Sequence, residues 1–269
     1  MPDRFIISAS VYLCGMIDQG HVTTGIENGI GTVTFFHPQS NSLPGALLRK
    51  LAQAITDMGN NPEARVIVLR SEGEKAFCAG ASFDELISIK DIETGKQFFS
   101  GFAMVINAMR KAPKFVIARV QGKAVGGGVG LASAADYTLA VSSASVKLSE
   151  LAVGIGPFVV GPAVERKMGT SAFTNLAINA SEWRDARWAQ QHGLYADVYD
   201  DAAALDAGVN ALAHRLAASN PEAMAMLKKI FWQGTDNWDT LLTERALMSG
   251  TLVLSEFTVN AINSFKAKA

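Results

Sequence analysis

The chain is short of cysteine, of histidine and of net charge. Cys14 and Cys78 are its two cysteines in 269 residues, too few for a disulfide framework in a chain of this length, and a reducing compartment fits them best. The four histidines, His21, His37, His192 and His214, lie far apart without metal-ligand spacing, so no metal site is expected. Lys and Arg number 24 against 25 Asp and Glu, a formal net charge of −1. That balance supplies no general attraction for nucleic acid or an anionic membrane, and neither is expected as a partner. Long hydrophobic runs are missing too. Near the N-terminus the longest, from Phe5 to Met16, is too short to span a bilayer. It also makes a poor signal peptide, because its basic region is one Arg4 offset by Asp3. Residues 1–20 are therefore read as an extension outside the core, residues 1–15 as adding little to the fold, and the location as cytoplasmic.

What is present is core material: 49% of the residues are apolar and 18% charged, too apolar for disorder. The length allows one large domain, or one domain with a helical appendage. No internal repeat or low-complexity tract occurs. The first strand is expected from Val22 onward. Gly31–Phe36 alternates as a strand, Val66–Leu69 is a short apolar run typical of a strand covered on both faces, Phe115–Val120 is the next buried strand, and Tyr137–Val141 is another strand. A shorter strand is possible at Val146–Leu148, and another at Tyr195–Tyr199. Between them, Leu47, Leu48, Leu51, Ile55 and Met58 mark one helical face, as do Phe98, Phe102, Val105, Ile106 and Met109. Ser42 is placed to cap the first of these helices, with Pro44 in its first turn. Alternating strands and helices indicate α/β architecture with parallel pairing. After Pro157 helical signals follow in series: 162–168, 172–178, 184–192, 202–218, 221–231 and 239–265. The tail exposes Leu252, Phe257, Val259, Ile262 and Phe265, which need cover from the body or a neighbouring subunit.

Three stretches could carry chemistry. Gly126-Gly127-Gly128-Val129-Gly130 joins a strand to a helix-like stretch, where unpaired backbone N–H groups form an anion site; a tight turn that lets helix and sheet pack closely is the alternative. A dinucleotide site is disfavoured, because G-x-G-x-x-G would need glycine where Leu131 or Ser133 stands. The loop from Lys75 to Leu86 also leaves a strand through small residues and opens a helix. If the two turns converge on one oxygen they form an oxyanion hole; otherwise they are unrelated turns. Glu150 sits in an otherwise apolar stretch. Burial there would raise its pKa toward neutrality and suit it to proton transfer, whereas a rim position would leave its head solvated.

In combination, Ala76-Phe77-Cys78-Ala79-Gly80-Ala81-Ser82-Phe83-Asp84-Glu85-Leu86, the glycine run about 46 residues later, and Ser149-Glu150 followed by Gly154-Ile155-Gly156-Pro157 resemble the crotonase superfamily, the enoyl-CoA hydratase/isomerase family. The resemblance covers about residues 25–269. It implies an α/β fold with a spiral of ββα repeats over residues 21–205, and a helical C-terminal region, 206–269, used in assembly as a trimer or dimer of trimers. It also implies acyl-CoA thioester substrates, with coenzyme A arriving as part of the substrate and no permanently bound cofactor. The thioester enolate would be held by two backbone N–H groups, which by motif match fall on Ala81 and Gly127, with Glu150 as the acid–base group. Ala79 would meet the adenine or thioester end of coenzyme A. Lys266 and Lys268 are candidates for its phosphates, or belong to an ordinary solvated terminus.

Two departures stand out. Hydratases that this chain resembles usually carry a second glutamate where it has Gly130, and Ser82 replaces the usual Asp of the first loop. Adding water across C2=C3 is naturally done by two carboxylates, whereas moving a double bond from C3=C4 to C2=C3 needs only one base. The expectation is therefore Δ3-Δ2 enoyl-CoA isomerisation. The alternatives are hydration, with Ser133, Ser149 or a water replacing the missing acid, other acyl-CoA chemistry such as decarboxylation or thioester hydrolysis, and a non-catalytic acyl-CoA-binding subunit. Phe99, Phe102, Met104, Phe158 and Val159 are candidates for the acyl pocket and equally good core residues.

Overall fold

The computed structural model describes residues 20–266. The expectation for residues 1–15, and those for Lys268 and the Lys266 and Phe265 side chains, lie outside the described part. Successive turns of the chain lay one strand in a large sheet, one or two short strands, and then a helix, until the last strand, which leads directly into a helix. The large sheet has the order β1-β2-β4-β7-β9-β12, with β1 (His21–Glu27), β2 (Ile30–Phe36), β4 (Val66–Ser71), β7 (Val116–Val120), β9 (Tyr137–Val141) and β12 (Asp197–Tyr199). β1 and β2 form an antiparallel hairpin, and the remaining pairs are parallel. A second sheet has the order β11-β10-β8-β5, from β5 (Ala76–Cys78), β8 (Lys123–Val125), β10 (Ser145–Lys147) and β11 (Arg184–Asp185). β3 (Ser42–Leu43) pairs only with β6 (Gly80–Ala81). The arrangement is the α/β spiral with a helical C-terminal region that the resemblance implies.

The strands read as doubly covered runs are that. All four residues Val66–Leu69 are buried, as are all five of β7. The expected apolar face of α1 (Gly45–Asn60) is buried without exception, each side chain being worth about 1.5–3 kcal/mol when removed from water. The start of that helix is not as expected. Ser42 lies in β3, Pro44 is the cap residue without a side-chain bond, and the Gly45 N–H donates to the Glu85 carboxylate at 2.6 Å. A residue 40 positions away thus stabilises the helix end, which no local pattern announces.

α2 (Phe83–Ser88) and α3 (Ile92–Lys111) follow the first loop, and α4 (Gly127–Ala134) follows the glycine run. α5 (Gly161–Ile178) is kinked at Gly169, where φ is +79°, which accounts for the two separate helical signals. α6 (Ala186–Gln191) starts two residues later than its signal, because Arg184 and Asp185 pair with β10. α7 (Ala202–Ala217) and α8 (Pro221–Phe231) match their signals closely, and α7 runs across residue 205. The single helix expected over 239–265 is two, α9 (Trp238–Leu252) and α10 (Glu256–Lys266). Ser255 breaks it: its hydroxyl accepts from the Thr258 N–H at 3.3 Å, a new helix cap.

The tail docks on its own body. A Cβ on Gly95 of α3 would stand 2.9 Å from the Gly250 Cα of α9, so the two backbones touch at a point only glycine permits. Val253 and Ile262 are buried against Ile89, Phe98 and Ile155. α8 is anchored by Lys228, whose ammonium meets the Asp136 carboxylate at 2.5 Å, while Trp232 donates to the other oxygen of Asp136 at 2.8 Å. Phe257 remains 69% exposed, and Met226 and Ile230 of α8 also face outward. Among the described residues no helix is long and apolar enough to cross a membrane.

Candidate functional site

The two small-residue turns and Glu150 line one cavity of about 350 Å³. In the first turn Gly80 takes φ +93°. The Ser82 N–H donates to the Leu43 carbonyl at 3.2 Å. Successive N–H groups of a strand point to opposite sides, so the Ala81 N–H faces away from β3, and no further strand pairs there. The Ala79 N–H is taken by the Ser40 carbonyl at 3.2 Å.

In the second turn Gly126 is the cap of α4, at φ +50° and ψ −113°. Its carbonyl accepts from Val129 and Gly130, and the Gly127 N–H, first in the helix, has no intrahelical acceptor. That nitrogen lies 3.6 Å from where a Cβ on Gly80 would stand. The two turns therefore meet, and their N–H groups border the same space. Glycine at 127 lets the Phe102 ring lie against the backbone, since a Cβ there would come within 2.2 Å of the ring and displace it.

Glu150 begins a single 3-10 turn, Leu151–Val153, after β10. Its Oε1 lies 2.9 Å from the position of a Cβ on Gly126, so the carboxyl lies over the cap of α4. The residue is partly buried by surface, but its carboxyl is enclosed, and Oε2 is buried without a hydrogen-bond partner. Burial pushes the pKa up to about 7, with a small opposing pull from its own backbone N–H. A carboxyl in this state exchanges protons readily near neutral pH. Cys78 is fully enclosed beneath the first turn and burial raises its thiol to about 12, so it stays protonated.

Of the five acyl-pocket candidates, Phe99, Phe102, Phe158 and Val159 line this cavity. Met104 does not. It is 37% exposed and faces a separate groove beside Arg49 and Asp239. Ser149 lines the cavity, whereas Ser133 is wholly buried outside it with an unpartnered hydroxyl. Ser82 is occupied locally: its hydroxyl accepts from the Glu85 N–H and caps α2. Gly130 does not open on free space. A Cβ there would stand 2.5 Å from Val160 Cγ1, so Val160 fills the volume a second carboxylate would enter. Val160, Gln39, Ser42 and Ser249 line the cavity too. Sequence reasoning missed them as site residues, because none sits in a chemistry-bearing motif. Among the described residues no three His, Cys, Asp or Glu side chains come together to hold a metal.

A cavity with two backbone donors on one wall, a near-neutral carboxyl beside them and apolar walls elsewhere defines a site for proton transfer next to a polarised carbonyl. A family model described as enoyl-CoA hydratase/isomerase matches residues 25–260, and the chain belongs to that family, the crotonases. It is a crotonase-family acyl-CoA enzyme. A probable enoyl-CoA hydratase from Bacillus subtilis is 26% identical over 249 residues, 92% of this chain and 96% of that protein. The human mitochondrial methylglutaconyl-CoA hydratase is 31% identical over 223 residues, 81% of this chain and 63% of that protein. The crystal structure of an enoyl-CoA hydratase from Bacillus halodurans superposes with a TM-score of 0.83 at 20% identity, covering 90% of this chain and 99% of that one.

Proposed function

We propose that the protein hydrates the C2=C3 bond of a 2-enoyl-CoA thioester, and catalyses the reverse dehydration, with Glu150 as its single acid–base group. The observation that carries this is the enclosed Glu150 carboxyl, unpaired at Oε2 and raised to about 7, beside the Ala81 and Gly127 N–H groups. In this scheme both N–H groups donate to the thioester oxygen. The Glu150 carboxylate takes a proton from water as the water oxygen bonds to C3, and the electron pair of the double bond moves through C2 onto the thioester oxygen. Glu150 then gives the proton to C2, the enolate collapses, and the carboxylate is restored. One water is added and no co-reactant is consumed. The Ser149 hydroxyl in the same cavity can hold the water that a second carboxylate would otherwise hold. The hydratase names of the relatives above support this reading over isomerisation. Ala79 at the cavity wall and Lys266 are our candidates for contact with coenzyme A.

A second reading, Δ3-Δ2 enoyl-CoA isomerisation, is favoured by one observation: Val160 occupies the space in front of Gly130, and a C2-to-C4 proton shuttle needs no second carboxylate. A panel of 2-enoyl- and 3-enoyl-CoA thioesters decides. Hydration adds the mass of water in the mass spectrum. Isomerisation leaves the mass unchanged and raises the absorbance of the conjugated thioester. Conversion of 3-enoyl-CoA with negligible hydration would overturn the first reading, and no turnover of either class would leave an acyl-CoA-binding role.

A further inference from the structure

The strand that presents the Ala81 N–H is two residues long and pairs only with another of the same length. Such a pair does not hold an N–H at a fixed angle unaided. What stands behind it is the turn His37–Ser42. Ser40 and Asn41 follow one another in the left-handed region, at φ +54° and +56°, a conformation costly for residues other than glycine and least so for Asn. The turn is kept by the Asn41 side chain, which is 3% exposed as a residue. Its Oδ1 accepts from the His37 N–H at 2.8 Å, and its Nδ2 donates to the carbonyls of Glu72 at 2.8 Å and Ala76 at 2.9 Å. Two bonds from this amide thus tie the turn to the exit of β4 and to the first residue of β5, the strand that runs into Ala79–Ala81, and the third closes the turn on itself. The turn and β3, which follows it, grip the first loop at both ends. The Ser40 carbonyl accepts from the Ala79 N–H and the Leu43 carbonyl from the Ser82 N–H, each at 3.2 Å, and Ala81 lies between those two bonds.

We propose that Asn41 is a positioning residue for the Ala81 N–H: its amide holds a strained turn that aims this donor into the cavity. The proposal rests on the reading of Ala81 as a donor to the thioester oxygen, and not on which reaction follows. An N–H serves a developing oxyanion only within a narrow range of distance and angle, and a displacement of about 1 Å can cost on the order of a hundredfold in rate. Asn41 is not itself among the residues that line the cavity, so its loss changes alignment without removing a cavity contact.

Two variants test it in the full chain. Asn41→Ala removes all three bonds and keeps the backbone strain. Asn41→Gly removes the bonds but accepts the left-handed backbone, so it separates the amide from the backbone conformation. Two readouts are taken: kcat and KM on whichever enoyl-CoA the wild type turns over, and the infrared stretch of carbonyl-labelled butyryl-CoA bound to each protein. Hydrogen-bond donors lower that stretch relative to free butyryl-CoA. We expect kcat to fall at least about tenfold in both variants, with KM within about twofold, and the bound carbonyl to move back toward its free value. Wild-type kcat and an unchanged carbonyl stretch in a folded Asn41→Gly would overturn the proposal. So would failure of Asn41→Gly to fold, which would make the residue a folding determinant. A wild-type carbonyl that shows no lowering at all would remove the Ala81 reading itself, and that outcome is distinct from the other two.

Discussion

Replacing Glu150 by glutamine tests chemistry and folding in one protein. The substitution keeps the size of the side chain and removes its proton exchange, so turnover should fall by at least about a hundredfold with acyl-CoA binding little changed. Stability should move the other way. The carboxyl has an ordinary value of 4.5 and is raised to about 7 by burial in the fold. Below the ordinary value both folded and unfolded chains carry the proton, and burial costs nothing extra. As pH rises from the ordinary value to the raised one, the unfolded chain ionises first and stability is lost. Above it the loss is complete and amounts to about 3 kcal/mol, at about 1.4 kcal/mol per pH unit. Glutamine escapes that penalty. It leaves an amide in the place of the unpartnered Oε2, which takes back about 1 kcal/mol. The variant should therefore be more stable by about 2 kcal/mol in alkaline buffer, a Tm higher by about 4–8 °C for a chain of this size, with the advantage gone in acid. Thermal unfolding of both proteins from about pH 5 to about pH 9, beside turnover assays, measures each part. A variant less stable than wild type throughout, or a difference independent of pH, would refute the account of an enclosed, unpaired carboxyl. Near-normal turnover would show that another residue does the chemistry.

Further outcomes follow from other parts of the structure. Gly130→Glu places its Cβ against Val160 and should destabilise by about 1–3 kcal/mol through overpacking, despite the better helix propensity of Glu. Combined with Val160→Ala it should recover stability and shift the ratio of hydration to isomerisation upward, read from the same thioester panel; an unchanged ratio in a folded double variant would show that the second carboxylate position is irrelevant. Lys228→Ala leaves Asp136 without its buried ammonium partner and should cost about 3–5 kcal/mol in denaturant unfolding, with kcat of the folded fraction unchanged because the pair lies outside the cavity. The exposed Met226, Ile230 and Phe257 are expected to be covered in a trimer or dimer of trimers, so light scattering at micromolar concentration should not show a monomer.

Elements whose signal is local were legible in the chain. Val66–Leu69 and Val116–Val120 are apolar runs because both faces of the sheet are covered, and the Leu47–Met58 face repeats at helical spacing because one side of the helix is buried. Pro221 marks the first turn of its helix, after Asn220 as cap. The stretches around Ala81, Gly127 and Glu150, which line one cavity, were legible for a related reason: small residues in sequence mark close approach to the backbone, and an isolated carboxyl in apolar surroundings is visible without coordinates. The helix break at Val253–Ser255 was not, since its apolar pattern continues through the capping Ser255. The strands β3, β5, β6, β8 and β11 were not either, because two or three residues carry little periodicity and these lie in stretches read as loop or helix.

What only the tertiary structure decided is how separate stretches meet. The Glu85 bond to the Gly45 N–H, the three bonds of Asn41 and the contact of Gly95 with Gly250 all join residues at least 31 positions apart, or, for one bond of Asn41, across a strained turn. Val160 before Gly130 is the clearest case. The chain shows that a glutamate is missing there, but only packing shows that its place is filled. Residue types determined the class of protein, a crotonase-family acyl-CoA enzyme, because two small-residue turns and an isolated carboxyl in that order are a combination few chains carry. The directions of those donors, the unpartnered oxygen of Glu150 and the volume left around it were set by long-range contacts, whose partners leave no mark on one another in the sequence.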